Sequence, residues 1–308
     1  MKNYFDFTLT GKRLLPIWML IYVFVLIPYG INYHNITHRP LEGNPHFLSS
    51  AVLFLTMLLG YLIAFFIIKM AVESIKYKEE TIQFDGKFFT YVGKILLGLL
   101  LSCVTLFIYL PWFIKDIASF FASSSSWKEE KFQFMGKGGR LFVILLLTIF
   151  LPIIALSLLF SGYINSFSEN LLYALIYEGI LMIVMVPYFY YYYHWMVDVQ
   201  YKNFSIRWET EFVESAFKIL TEFLLIVVTV GIYFPLAYLR LFKYFSEKTV
   251  AVSDETTLRF GFDYDAKNDF FYIWGQMLLT MVTLGIYYPW AFSKIGKRVL
   301  SQTYLEQA

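Results

Sequence analysis

Thr283-Leu-Gly-Ile-Tyr-Tyr-Pro-Trp290 lies inside an apolar run, and two other stretches align with it without a gap. These are Thr229-Val-Gly-Ile-Tyr-Phe-Pro-Leu236 and Thr105-Leu-Phe-Ile-Tyr-Leu-Pro-Trp112. Each copy sets a proline, Pro111, Pro235 or Pro289, near the middle of its run. Proline lacks an N–H and its ring clashes with the carbonyl four residues back, so a helix must bend or stop there. Gly231 and Gly285, four residues before the proline, loosen the helix further. The threonines (Thr105, Thr229, Thr283) and tyrosines (Tyr109, Tyr233, Tyr287) keep fixed offsets, and Trp112 and Trp290 close two of the copies. Basic residues follow at Lys115, Arg240 and Lys294. The spacing predicts a helix that descends into a bilayer, bends at the motif and returns as an amphipathic segment. A sharply kinked helix that still crosses is the alternative.

The composition agrees with a bilayer. Of the 308 residues, 58% are hydrophobic and 16% are charged, against about 25% charged in soluble domains. Too little polar surface exists to coat a water-facing globule, and the same numbers exclude disorder. A net charge of +2 offers no steering of nucleic acid. Cys103, the single cysteine, rules out an internal disulfide and reads as a packing residue. No small-residue cleavage site follows the first apolar run, so that run is expected to stay in the mature protein.

Seven runs have roughly spanning length: 14–33, 49–71, 95–114, 141–163, 171–195, 223–239 and 273–292. If all seven cross, the basic residues divide almost evenly between the two sides. If only the first, second, fourth and fifth cross, every Lys and Arg except Arg39 falls on one side, which the positive-inside rule makes cytoplasmic. The expected fold is therefore an all-α multi-pass membrane protein. It has four full spans, three proline-bent re-entrant or kinked segments, cytoplasmic termini, and residues 34–48 and 164–170 outside.

Before each membrane unit comes a short alternating segment: Phe5-Asp-Phe7, Ile82-Gln-Phe84, Phe132-Gln-Phe134, Phe204-Ser-Ile206 and Phe260-Gly-Phe262. Period-two alternation beside Gly, Asp and Lys predicts short β-strands at the cytoplasmic face. Residue 84 precedes Thr105 by 21, residue 206 precedes Thr229 by 23, and residue 262 precedes Thr283 by 21. One membrane domain built of five repeats follows, approximately 1–80, 81–130, 131–202, 203–256 and 257–308. Whether the strands pair with one another or lie apart as interfacial anchors is open at this point.

The Phe-x-Phe opening, the Thr-Leu-Gly-Ile-Tyr-x-Pro-Trp motif and the basic helix after it resemble the YjgN family of bacterial inner-membrane proteins. The likeness is best over 258–300, good over 204–245 and weaker over 82–120, where Phe107 stands in place of the motif glycine. That family is of unknown function. The resemblance implies a bacterial cytoplasmic-membrane location and gives no activity.

Catalytic signatures are absent: there is no nucleophile elbow, no phosphate-loop lysine, no His-Glu-x-x-His and no cysteine pair. Neither an enzyme nor a cofactor is expected. His34, His38, Glu42 and His46 recur at four-residue steps and could ligate a metal on one helix face. Pro40, Gly43 and Pro45 argue instead for a polar loop. Charges within apolar runs point more strongly to function. Glu178 lies about 10 Å below the outer end of its run at helical rise, with Tyr173 and Tyr177 beside it. This carboxylate could bind a cation, carry a proton or sit protonated against a tyrosine, and it is expected to face the bundle interior. Glu222, four residues after Lys218, reads as a local ion pair. The aromatic run Tyr188–Trp195 reads as an interfacial anchor. The expected function is transporter- or channel-like handling of a small solute or ion. The alternative is a lipid-binding or membrane-organising scaffold, and membrane lipids are expected partners in either case.

Overall fold

The computed structural model describes residues 2–38, 45–160 and 171–307. Eleven strands form one antiparallel sheet: β1 (Asn3–Phe7), β2 (Ile75–Tyr77), β3 (Glu80–Thr81), β4 (Gln83–Phe84), β5 (Ser125–Trp127), β6 (Glu130–Phe134), β7 (Val199–Tyr201), β8 (Phe204–Trp208), β9 (Thr249–Val252), β10 (Thr257–Phe262) and β11 (Thr303–Gln307). The order is β3-β2-β1-β11-β10-β9-β8-β7-β6-β5-β4. Its two ends, β3 and β4, are successive in the chain and separated by Ile82 alone, whose N–H donates to the Ile75 carbonyl at 3.0 Å. The sheet is therefore a nearly closed, barrel-like ring.

The expected all-α fold with four full spans is overturned by this sheet. Among the described residues three helices are long and apolar enough to cross a membrane: Gly11–His34, Ser49–Val72 and Gly138–Leu159. The physical reason is pairing at long range. Strands of two to six residues carry weak local signals, and β1 pairs with β11 from the opposite end of the chain, Asn3 opposite Leu305.

Helical pairs join the strands. Helix α1 (Gly11–Ile21) continues through a π-helical turn, Tyr22–Leu26, into α2 (Ile27–His38), and α3 (Pro45–Val72) leads back to the sheet. Next come α4 (Phe88–Val104) and α5 (Leu110–Ser123). Helix α6 (Gly138–Leu145) runs through a second π-helical turn, Leu146–Phe150, into α7 (Leu151–Leu159), and α8 (Leu171–Met196) follows. The last pairs are α9 (Phe212–Val228) with α10 (Phe234–Glu247), and α11 (Ala266–Val282) with α12 (Tyr288–Ser301). Both π-helical turns end two residues before a proline, Pro28 or Pro152, whose missing N–H and ring bulk the wider turn absorbs. The fourth expected span falls on α8, where the side chains of 171–175 and Glu178 lie outside the described residues. Successive helices pack on one another and α12 packs back on α1, so the helices close a second ring over the first.

The three motif copies share one backbone path. Helices α4, α9 and α11 each have 17 residues, and α5, α10 and α12 each have 14. Leu106, Val230 and Leu284 take φ of 50°, 51° and 50°, followed by Phe107 at 67°, Gly231 at 82° and Gly285 at 89°. The N–H of Phe107, Gly231 and Gly285 reaches back five residues to Ser102, Ile226 and Thr280 at 2.6–2.8 Å, the closure of a Schellman turn. The hydroxyls of Thr105, Thr229 and Thr283 each accept the N–H of the motif tyrosine at 3.0 Å. Each proline then sits in the first turn of the returning helix, where no N–H is needed. Both ends of each hairpin enter the same sheet.

The turn at 107 holds a phenylalanine in a left-handed conformation that Gly231 and Gly285 adopt without strain. Phe107→Gly is expected to stabilise the protein by about 1 kcal/mol, and Gly285→Ala to destabilise it by at least as much. Thermal unfolding in detergent should show shifts of opposite sign, and a matching sign would contradict the shared turn.

Candidate functional site

Side chains two apart share a face of a strand, so position along the strand, rather than face, sorts the aromatic residues of this ring by task. In four of the five segments the second apolar residue, a phenylalanine, descends into the helices, whereas Phe204 and Ile206 both line the ring. Phe7 packs with Leu9 and Leu14, Phe84 with Phe65, Tyr91 and Phe120, and Phe262 with Leu239, Ile273 and Val299. Phe134 meets Trp195 edge-on at 4.9 Å. The first aromatic points into the ring. Phe260, Phe5, Tyr77, Trp127, Tyr201 and Phe132 form a continuous belt with successive centroid distances of 6.2, 4.8, 5.3, 5.8 and 4.9 Å. With Ile82, Phe204, Ile206, Ala251, Leu258 and Leu305 the belt encloses a chamber of about 390 Å³.

The chamber is apolar with few polar handles. Lys78 is the charged residue in its lining. Tyr201 donates its hydroxyl to the Trp127 carbonyl at 2.8 Å, whereas the Trp127 indole N–H is shielded and lacks an acceptor among the described residues. Burial pushes the phenols of Tyr77 and Tyr201 above the ordinary tyrosine range, and Glu130 and Glu80 add to the effect at Tyr201. Both stay neutral at physiological pH. The rim outside the chamber is charged, with Lys128–Glu80 at 3.6 Å and Lys202–Glu130 at 3.9 Å linking neighbouring hairpins. At the seam between the chain ends, Asp263 accepts from Lys2 at 2.7 Å and from Tyr4 at 2.8 Å. The Lys2 ammonium holds the Asp263 carboxyl below the usual range.

The motif tyrosines tie each hairpin together. Tyr233 donates to the buried carboxylate of Glu222 at 2.8 Å and accepts from Arg240 at 2.7 Å, while Lys218 lies 2.7 Å from Glu222. Tyr287 repeats the pattern with Gln276 at 3.0 Å and Lys294 at 2.8 Å. In the first hairpin the equivalent position is Gly98, whose empty side is filled by Phe113, and Tyr109 reaches only Asp116, at 3.4 Å. Trp112 and Trp290 lie against Gly138 and Gly11 of the next helical pair. The turn carbonyls are covered too: Trp18 and Tyr22 donate to Gly285 and Leu284 at 3.0 Å, and Trp274 donates to Ile232 at 2.8 Å.

Other expected residues fall elsewhere. The side chains of Glu178 and Tyr173 lie outside the described residues, so the expectation that Glu178 faces the interior falls there too. Tyr177 meets Phe160 edge-on at 5.5 Å. His34 is exposed, the side chains of His38 and His46 are not described, and Glu42 is outside the described chain. Among the described residues no cluster of three metal-ligating side chains occurs. The run Tyr188–Trp195 is partly core: Tyr190 and Trp195 are buried, and Trp195 donates to the Lys137 carbonyl at 3.0 Å. Sequence reasoning missed Tyr77 and Trp127, although both open the same tetrapeptide pattern, aromatic-Lys-Glu-Glu. It also missed Asp269, fully buried and held by Arg298 and Gln302.

A family described as "Bacterial protein of unknown function (DUF898)" matches residues 2–261. The chain belongs to that family. It is also 32% identical over 83 residues to "Inner membrane protein YjgN" of Salmonella typhimurium. That alignment spans 27% of this chain and 21% of the relative, and it supports the YjgN resemblance carried by the motif. No solved structure matches.

The tyrosine ties rank the hairpins. Tyr233→Phe strips a partner from a buried carboxylate and should cost about 1.5–3 kcal/mol, Tyr287→Phe about 0.5–1.5, and Tyr109→Phe least. Melting temperatures of the three variants in one detergent would test the order, and equal losses would show that the ties do not hold the hairpins.

Proposed function

We propose that this DUF898 protein handles a small apolar or amphipathic solute in a transporter-like manner, without chemistry on it, and that the strand-ring chamber is where the solute binds. The chamber lining carries this reading. Ligand pockets are typically apolar, aromatic-lined and provided with a few polar groups that set orientation. Here the free Trp127 N–H and Lys78 suit an oxygen acceptor at the solute's head. In membrane terms, the hairpin tips support insertion. Leu106, Val230 and Val282 are 83%, 90% and 80% exposed, and each large apolar side chain kept in water forfeits about 1.5–3 kcal/mol of burial. The opposite rim holds charged turns at Lys78-Glu79 and Lys128-Glu129.

The relative's name and the charge partition favour a bacterial inner membrane, with the strand ring and termini on the cytoplasmic side. A nearly closed strand ring joined to a ring of helices favours a second reading, a conduit in which the aromatic belt is a dewetted gate. Phe5→Ser with Phe132→Ser would then raise ion flux into proteoliposomes, and unchanged flux removes that reading.

For the binding site, a brominated fatty acid should quench Trp127 saturably, measured as the difference between the parent protein and Trp127→Phe. Ala251→Phe, which narrows the chamber, should weaken that quenching about tenfold. Quenching that survives unchanged would place the solute elsewhere. For sidedness, single cysteines replacing Glu129 and Asn165, in a Cys103→Ala background, should label from opposite sides with an impermeant maleimide. Labelling of position 129 alone from the outside of intact cells would reverse the orientation, and labelling of both would refute the topology.

A further inference from the structure

A second cavity, of about 400 Å³, lies outside the ring where β4 hands over to α4 and α5 returns to the sheet. Its chemistry is the reverse of the chamber's. Lys87, Lys94 and Lys131 line it together with the hydroxyl residues Thr90, Ser119, Ser123 and Ser124. The single carboxylate there, Asp85, is already neutralised by Lys131 at 2.6 Å. Lys87 and Lys94 form no ion pair among the described residues; Lys87 is the extended residue just before α4, and Lys94 lies about two turns into the helix, both lining the cavity. The cavity thus carries a local excess of two positive charges.

Two further features point to an absent anion. Ser124 is only 7% exposed and lines the cavity, yet its hydroxyl makes no hydrogen bond among the described residues. The hydroxyl opens to the cavity, where it can donate to a bound group. Helix α4 begins at this cavity, with Lys87 at its N-terminus, and like most of the described helices it has no side-chain cap. The free amides of its first turn and the positive end of its dipole lie at this cavity. Ammonium groups, hydroxyls and helix amides together are the donor set that a phosphate oxygen accepts from.

We propose that this cavity binds a phosphate group, presented either by an anionic phospholipid headgroup or as the free ion. The position favours the headgroup. The cavity sits at the junction of the charged sheet and the apolar hairpin, which is the level of the membrane interface if the tips insert. Basic side chains at that level are the usual partners of anionic lipid.

The test uses the full-length protein in a neutral detergent, with native mass spectrometry counting bound phosphatidylglycerol against phosphatidylcholine, and with inorganic phosphate as competitor. The parent protein should retain phosphatidylglycerol preferentially. Lys87→Gln with Lys94→Gln should weaken retention by roughly tenfold or more, as expected for two lost charge-assisted bonds. Ser124→Ala, whose hydroxyl has no protein partner to lose, should weaken it with no change in melting temperature. Retention unaffected by millimolar phosphate assigns the site to lipid, and displacement by phosphate with direct binding of the ion assigns it to the free anion. Equal retention of phosphatidylglycerol by the parent and both variants, with no phosphate binding, would overturn the proposal. Because the chamber's fatty-acid quenching is read at Trp127, failure here leaves that result untouched.

Discussion

Strands of two and three residues persist in this protein because the sheet curls into a nearly closed ring: β2, β5 and β7 are paired on both sides, and β3 and β4, each paired on one side, run into one another through Ile82. An isolated hairpin of that length is marginal in water, and an open edge would leave a row of unpaired amides. Closure removes both liabilities, and it depends on the first and last strands meeting. The Lys2–Asp263–Tyr4 cluster and the Asn3–Leu305 register hold that seam. Once the ring is closed, each helical pair is fixed by strands at both its ends. The helices then have little choice but to pack side by side around the same axis.

The hairpin turn solves a different problem, that of reversing a chain between two apolar helices. Carbonyls in a turn cannot be left bare where no water is available. In the last two hairpins the turn carbonyls are taken by tryptophan and tyrosine donors from a neighbouring pair. The threonine hydroxyl takes the tyrosine N–H, and proline has none to satisfy. The motif residues are thus an inventory of the backbone groups a reversal leaves over. Their recurrence reflects one local solution applied at three places.

This difference between local and distant causes explains what could be read in advance. Pro111, Pro235 and Pro289 constrain their own neighbours, so a break at each was legible from spacing alone. The pairing of β1 with β11 is set by residues three hundred positions apart, and no local pattern carries it. The Phe-x-Phe segments sit between these extremes. Alternation showed that Phe5 and Phe7 share a face, but only closure turns that face toward a common axis and separates the chamber aromatic from the core aromatic. The ion pair of Lys218 with Glu222 was legible from their four-residue spacing, whereas the Tyr233 bond to the same carboxylate forms only once the hairpin closes.

Length decides how such a ring would meet the bilayer. The 17-residue arms of α4, α9 and α11 rise about 25 Å, while spans of 22 to 24 residues rise about 33–36 Å. Near the sheet all the pairs contribute to the wall, but beyond the short tips only the long helices continue. The wall is therefore complete at the strand ring and interrupted farther out, leaving lateral gaps above Leu106, Val230 and Leu284, whose apolar side chains face outward. A hydrated ion gains nothing from a wall that opens to acyl chains. Under the proposed function, a solute already dissolved in the membrane would arrive from that side, and Trp127 and Lys78 of the aromatic belt would offer its polar end a partner. This asymmetry is the reason an amphipathic solute, rather than an ion, is proposed for the chamber.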